Sequence, residues 1–155
     1  GGSQDGVEVQ VAHNSQAVHG PFGGIVGKDF DYKKSKDAQP RYTASLQGIL
    51  QRFQAPKVID YLSLDVEGAE YYIMQDFPWT EYIFKTLTVE RPSAELQSLL
   101  KLHKYHFVYQ INKRADSLYV HESILEQAQR NLKIRPQEIE SRQPQLPPGA
   151  FTASE

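Results

Sequence analysis

The sequence predicts an α/β fold with a mostly parallel sheet that ends in a C-terminal antiparallel hairpin. Three observations carry this. The run VIDYLSL, Val58–Leu64, is short and rich in Val, Ile, Leu and Tyr, and it ends abruptly in the carboxylate of Asp65; strands covered on both faces read this way. After Asp65 the period changes, because Val66, Ala69, Ile73 and Phe77 fall on one face of a helix. A second short run, TLTV at residues 86–89, ends in Glu90 and reads as a parallel neighbour of the first strand.

The strand, turn and helix at residues 58–77 organise the rest, because ligands of open α/β sheets bind at the carboxyl edge. Asp65, Glu67 and Glu70 lie at that turn. Their ordinary reading is structural. Asp65 is a good N-cap, and the helix dipole favours acids in the first turn. Gly68 works against capping as the whole explanation, since glycine at a helix start is unfavourable unless something approaches closely. If the two strands are neighbours ~4.8 Å apart, Asp65 and Glu90 emerge together and can share a proton, a water or a cation. Glu90 can instead pair with Arg91 or a nearby lysine.

Before this core, Val7, Val9 and Val11 alternate with polar or small residues, which predicts a half-buried strand at 7–11. The glycines of HGPFGGIVG, residues 19–27, lack the spacing and the following helix of a phosphate-binding loop, and they read as a flexible loop beside the site. Residues 28–42 carry five basic and three acidic residues around Pro40 and read as a solvated loop, with Lys33, Lys34 and Arg41 as candidate substrate contacts. Ser45 caps a core-facing helix bearing Leu46, Ile49, Leu50 and Phe53, which stops before Ala55-Pro56.

After Glu90, Ser93 caps a helix whose buried stripe is Leu96, Leu99 and Leu100, with His103 as a boundary residue. Trp79 reads as packing. Residues 106–111 and 118–121 form the hairpin strands, joined by 112–117. Ser123 to Glu126 has the capping-box pattern of a helix that runs to about Ile134. The division is therefore one domain at 1–135 and a loosely ordered Pro/Gln-rich tail at 136–155.

The length of 155 residues suits one domain of moderate core, and the net charge of −2 argues against broad electrostatic binding to nucleic acid. With no cysteine there is no disulfide framework or thiol chemistry. No apolar run approaches the ~20 residues of a membrane helix. Gly1-Gly2-Ser3 reads as an internal start or an expression scar, which leaves room for an upstream targeting or anchoring segment.

The octapeptide SLDVEGAE, residues 63–70, following an apolar strand resembles the signature of the FkbM-type methyltransferase family. The resemblance spans residues 45–122, and Asp65-Val66-Glu67-Gly68 is its most specific part. It implies a partial class I methyltransferase, Rossmann-like sheet, S-adenosylmethionine as cofactor, and O-methyl transfer to a small-molecule or sugar hydroxyl. It also implies that Asp65 positions the acceptor or the methionine end of the cofactor. Glu67 and Glu90 become candidates for the general base or for ligands of a divalent cation, carboxylates being hard oxygen donors. Asn112 to Ser117 should face the site, whereas Tyr119-Val120-His121 should head away from it, so His121 is not expected to be catalytic.

Class I enzymes cradle their cofactor with a glycine-rich turn after the first strand and an acid after the second. Neither is read here, and only one strand is read before Ser45. The chain thus resembles the C-terminal half of the family domain. The expectation is that these 155 residues by themselves hold S-adenosylmethionine weakly or not at all and do not turn over, and that Val58–Leu64 presents an open apolar edge. The alternatives are a catalytically inactive methyltransferase-like binding module, or a structural module whose acids only cap a helix.

Overall fold

In the computed structural model of the chain, the structure describes residues 5–14, 22–30, 38–111 and 116–142. These fall into two compact units, Gly1–Gln54 with Asp65–Phe77, and Ala55–Leu64 with Pro78–Glu155.

The first unit is built on an antiparallel sheet of β1 (Glu8–Asn14), β2 (Phe22–Ile25) and β3 (Gln39–Tyr42), in the order β2-β1-β3. The registers pair Val11 with Ile25 and Glu8 with Tyr42. Among the described residues three strands therefore precede Ser45, where the sequence shows one. Strand β2 lies in the glycine run and β3 in the stretch read as a solvated loop. Both form through backbone pairing to β1, which asks little of their side chains, and β3 is exposed throughout.

Ser45 caps α1 (Leu46–Arg52) as expected, its Oγ accepting the Gly48 N–H at 3.0 Å. The Asp5 carboxylate accepts the Ser45 N–H, and this bond holds Asp5 below the usual carboxylate range. The helix is not core-facing: none of its residues is buried, and Ile49 is 42% exposed. Helix α2 (Glu70–Met74) is only five residues long, shorter than the apolar period over 66–77 predicts.

The second unit holds β4 (Val58–Leu64), β5 (Ile83–Glu90), β6 (Tyr105–Gln110) and β7 (Asp116–His121), in the order β4-β5-β7-β6. Strands β4 and β5 are parallel, with Leu64 beside Val89, as the sequence predicts. The other two pairings are antiparallel. The sheet is thus mixed rather than mostly parallel, and these four strands do not establish a Rossmann-like arrangement. The reason is the hairpin. A short connection forces β7 antiparallel to β6, and β7, not β6, takes the place beside β5.

Strand β4 stands at the sheet edge and is not covered on both faces: Val58 is 51% and Tyr61 54% exposed. Among the described residues no strand pairs with β4 on its other side. The core of the unit is carried by Phe84, Leu87 and Val89 of β5, Val108 of β6 and Val120 of β7, all 1% exposed or less. Each such side chain contributes roughly 1.5–3 kcal/mol by leaving water.

Helix α3 (Ala94–Leu102) starts at Ser93, whose Oγ accepts the Leu96 N–H at 3.3 Å, and it buries Leu96 and Leu100. His103 at its end stacks on Trp79 with centroids 4.6 Å apart. The Tyr105 hydroxyl accepts the Phe84 N–H at 3.1 Å, two residues before β7 begins to pair with β5 at Thr86. Burial pushes that hydroxyl up to about 12.

The capping box at Ser123 does not form. The Nδ1 of His121 accepts the Ser123 N–H at 3.1 Å instead and opens a 3-10 turn over Glu122–Ile124. Helix α4 (Leu125–Leu132) then ends at Lys133 in the left-handed region, φ 54°. Helix α5 (Pro136–Arg142) occupies the start of the stretch read as a loose tail. Pro136 ends the preceding segment and also opens this helix, since proline suits the first helical position. Ile139 is buried, and Nη1 of Arg142 donates to the Val108 carbonyl at 3.0 Å. The rest of the predicted tail, 143–155, lies outside the described residues.

Candidate functional site

Strand β4 ends at the buried Leu64, and the chain turns through Asp65, Val66, Glu67 and Gly68 before α2 begins. Two successive residues of this turn have positive φ: Glu67 at 55° and Gly68 at 94°. Glycine adopts such values freely, whereas a residue with a Cβ pays roughly 1–2 kcal/mol for them. The turn therefore concentrates its strain at Glu67.

The turn is closed by Glu70. This carboxylate is 6% exposed. Its Oε1 accepts the Val66 N–H at 3.0 Å and the Gly68 N–H at 3.3 Å. Successive N–H groups converging on one acceptor form an anion nest, and here the chain fills the nest with its own carboxylate. Asp65 is consequently not the N-cap of α2. That place is held by Ala69, which makes no side-chain cap bond.

With Glu70 committed to the backbone, Asp65 and Glu67 are left on the wall of a cavity of about 470 Å³ in the first unit. Gly23 and Gly24 of β2, Thr43, and Ile73 of α2 line it with them. Volumes of this size suit small ligands. Among the described residues of its wall there are two carboxylates and no basic side chain. The glycine run read as a loop beside the site does border it, as part of a strand.

Glu90 is in the second unit. It is the last residue of β5, after Val89, the partner of Leu64. Nη2 of Arg91 donates to its Oε2 at 2.9 Å, so the ordinary pairing considered from sequence is present. Across the ladder Glu90 faces Asp116, the first residue of β7. His121 closes β7 at the end away from Glu90, as expected.

Of the candidate substrate contacts, Arg41 donates to the carbonyl of its neighbour Pro40 at 2.8 Å and is not on the cavity wall. Lys33 and Lys34 lie outside the described residues, as does most of the 112–117 connection. Among the described residues, no group of three or more His, Cys, Asp or Glu could hold a metal ion. Among them, too, no helix is long and apolar enough to cross a membrane. Sequence reasoning missed Glu70 as the closing acceptor, because an acid in a first helical turn looks the same whether it faces the dipole or the turn. It also missed Thr43, which no local pattern marks.

Compared with known proteins, residues 5–116 match the family described as Methyltransferase FkbM domain. No curated protein and no solved structure matches the chain.

Proposed function

The chain belongs to the FkbM methyltransferase domain family, matched over residues 5–116, and on that premise we propose that it serves O-methyl transfer from S-adenosylmethionine to a small-molecule or sugar hydroxyl. Family membership points to a methyltransferase that uses this cofactor; the acceptor class and the residue roles are our reading.

The observation that carries the reading is the division of labour at the turn. Glu70 saturates the converging N–H groups of Val66 and Gly68, so the turn offers the cavity carboxylates rather than an anion nest. That pair of acceptors suits the ammonium and the sulfonium of the methionine end of S-adenosylmethionine, whose own carboxylate neither residue would bind. When bound, the cofactor supplies an electrophilic methyl group on a cationic sulfur. Asp65 is assigned to accept from the ammonium and so fix the direction of the reacting end. Glu67, on the same wall, is the candidate base for the acceptor hydroxyl. Glu90, in the second unit, is the other carboxylate to which the resemblance points, held in place by Arg91.

A second reading, a binding module without turnover, is favoured by one observation. Among the described residues, Gly68 supplies the one glycine turn between a strand and a helix, and its N–H is taken by Glu70. The adenosine end of the cofactor therefore has no partner assigned.

Incubation with S-adenosylmethionine labelled in its methyl group, against a panel of sugars and small alcohols, separates the two. Label recovered as a methyl ether supports the enzyme. Cofactor binding without transfer to any acceptor supports the module.

A further inference from the structure

A second cavity, of about 430 Å³, lies wholly within the second unit. Arg91 and Arg142 reach it from opposite ends of the chain segment, with Gln97 of α3, Gln110 of β6, and the rings of Phe107 and Tyr119. Among the described residues of its wall there is no carboxylate. We propose that this cavity binds a small organic anion, a carboxylate or phosphate group carried on a flat apolar body.

The two guanidiniums carry the proposal. Each is held by the fold. Arg91 donates to Glu90 at 2.9 Å, and Arg142 donates to the Val108 carbonyl at 3.0 Å, with Glu138 3.7 Å away. A guanidinium has five N–H donors in a rigid fork, so it can keep a protein partner on one edge and present another edge to a ligand. Both side chains remain part-exposed, 50% for Arg91 and 39% for Arg142. Two held arginines that line one cavity suit the recognition of a carboxylate or phosphate.

The backbone adds a second observation. Arg91 sits at φ 43° immediately before Pro92. That conformation disfavours any residue with a Cβ, and such strain persists where the surrounding structure holds it in place. Glycine there would relax the backbone, yet the chain carries a long cationic side chain that lines the cavity.

The rest of the wall describes the body of the ligand. Phe107 and Tyr119 meet edge to face at 5.7 Å, and they offer an apolar patch that suits a flat group. Gln97 donates through Nε2 to the Pro92 carbonyl at 2.8 Å, which leaves its amide oxygen fixed in direction. Ser117, 7% exposed, sits on the same wall. The cavity shares Arg91 with Glu90, and anion binding there is read by a measurement other than methyl transfer.

The test titrates the whole chain with benzoate, phenyl phosphate and the neutral benzyl alcohol, followed by amide shifts in heteronuclear NMR and by calorimetry. Arg91→Gly and Arg142→Gln serve as variants. Arg91→Gly removes the guanidinium while relieving the backbone, so its melting temperature should not fall. At least one anion should shift the amides of Arg91, Phe107 and Gln110, weaken as salt rises, and bind roughly tenfold more weakly to each variant. Tighter benzoate identifies a carboxylate ligand, and tighter phenyl phosphate a phosphate. Benzyl alcohol binding as well as the anions, anion binding unchanged in a folded Arg91→Gly, or no shift at this cavity at millimolar anion would each overturn the assignment.

Discussion

The carboxylate of Glu70 reaches back four residues to the N–H of Val66, 3.0 Å away, and so closes the turn between β4 and α2 from the helix side. Three acids stand within six residues here, yet they are not equivalent. One is spent on the backbone and two face a cavity. Replacing Glu70 should therefore act on stability. Glu70→Ala leaves two N–H groups without their acceptor and should lower the unfolding free energy by about 2–3 kcal/mol. Glu70→Gln keeps an amide oxygen in place and should lower it by less. Urea denaturation of the three proteins measures this; an Ala variant as stable as the parent contradicts the role.

The two positive-φ residues of the turn should respond in opposite senses. Gly68→Ala puts a Cβ at φ 94° and should destabilise by roughly 1–2 kcal/mol. Glu67→Gly relieves φ 55° and should leave the melting temperature unchanged or higher, while removing one carboxylate from the cavity. Thermal melts of both variants decide. A stable Gly68→Ala would mean that the turn is looser than its dihedrals imply.

Two imidazoles make the fold sensitive to mild acid. Burial lowers His103, stacked on Trp79, below its ordinary value of 6.5. Burial is also the largest influence on His121, lowering it, with Lys104 and His106 adding to the shift and Glu122 opposing it. Protonation of His121 would also remove the lone pair that accepts the Ser123 N–H. A group whose folded pKa lies below its unfolded one stabilises only in its deprotonated form. Their contribution is complete above about pH 6.5 and is lost as pH falls from there through the folded values. The carboxylates of Asp5 and Glu95, both lowered, lose theirs in a separate window that opens near pH 4. The urea midpoint should drop between about pH 7.5 and pH 5, and by less in a His103→Gln, His121→Asn double variant. An unchanged slope in that variant would clear the histidines.

How much of this was legible in the sequence depended on where the information sits. The β4–β5 pair could be read because each strand carries its own apolar run and each ends in an acid. Ser45 and Ser93 could be read because a cap is local chemistry. Strands β2 and β3 could not. FGGI and QPRY have almost no strand signature, and they exist because β1 offers both of its edges. The length of α2 was misread because the apolar period over 66–77 continues through Glu67 and Gly68, whose dihedrals break the helix without disturbing the pattern. Ser123 was misread because His121 competes for the same N–H from two residues away. At the site, the acids were visible but their separate jobs were not, since the nest that commits Glu70 is a property of backbone direction.

The central claim is that Asp65 receives the ammonium of S-adenosylmethionine, on a wall it shares with Glu67. It is tested most directly by titrating the folded chain with S-adenosylmethionine and mapping the amide shifts by heteronuclear NMR, a readout that also detects weak binding. The account predicts shifts concentrated at residues 65–69 and at Gly23 and Gly24, and their loss in Asp65→Asn with the fold intact. Shifts confined to other residues, or a response unchanged in Asp65→Asn, would contradict it.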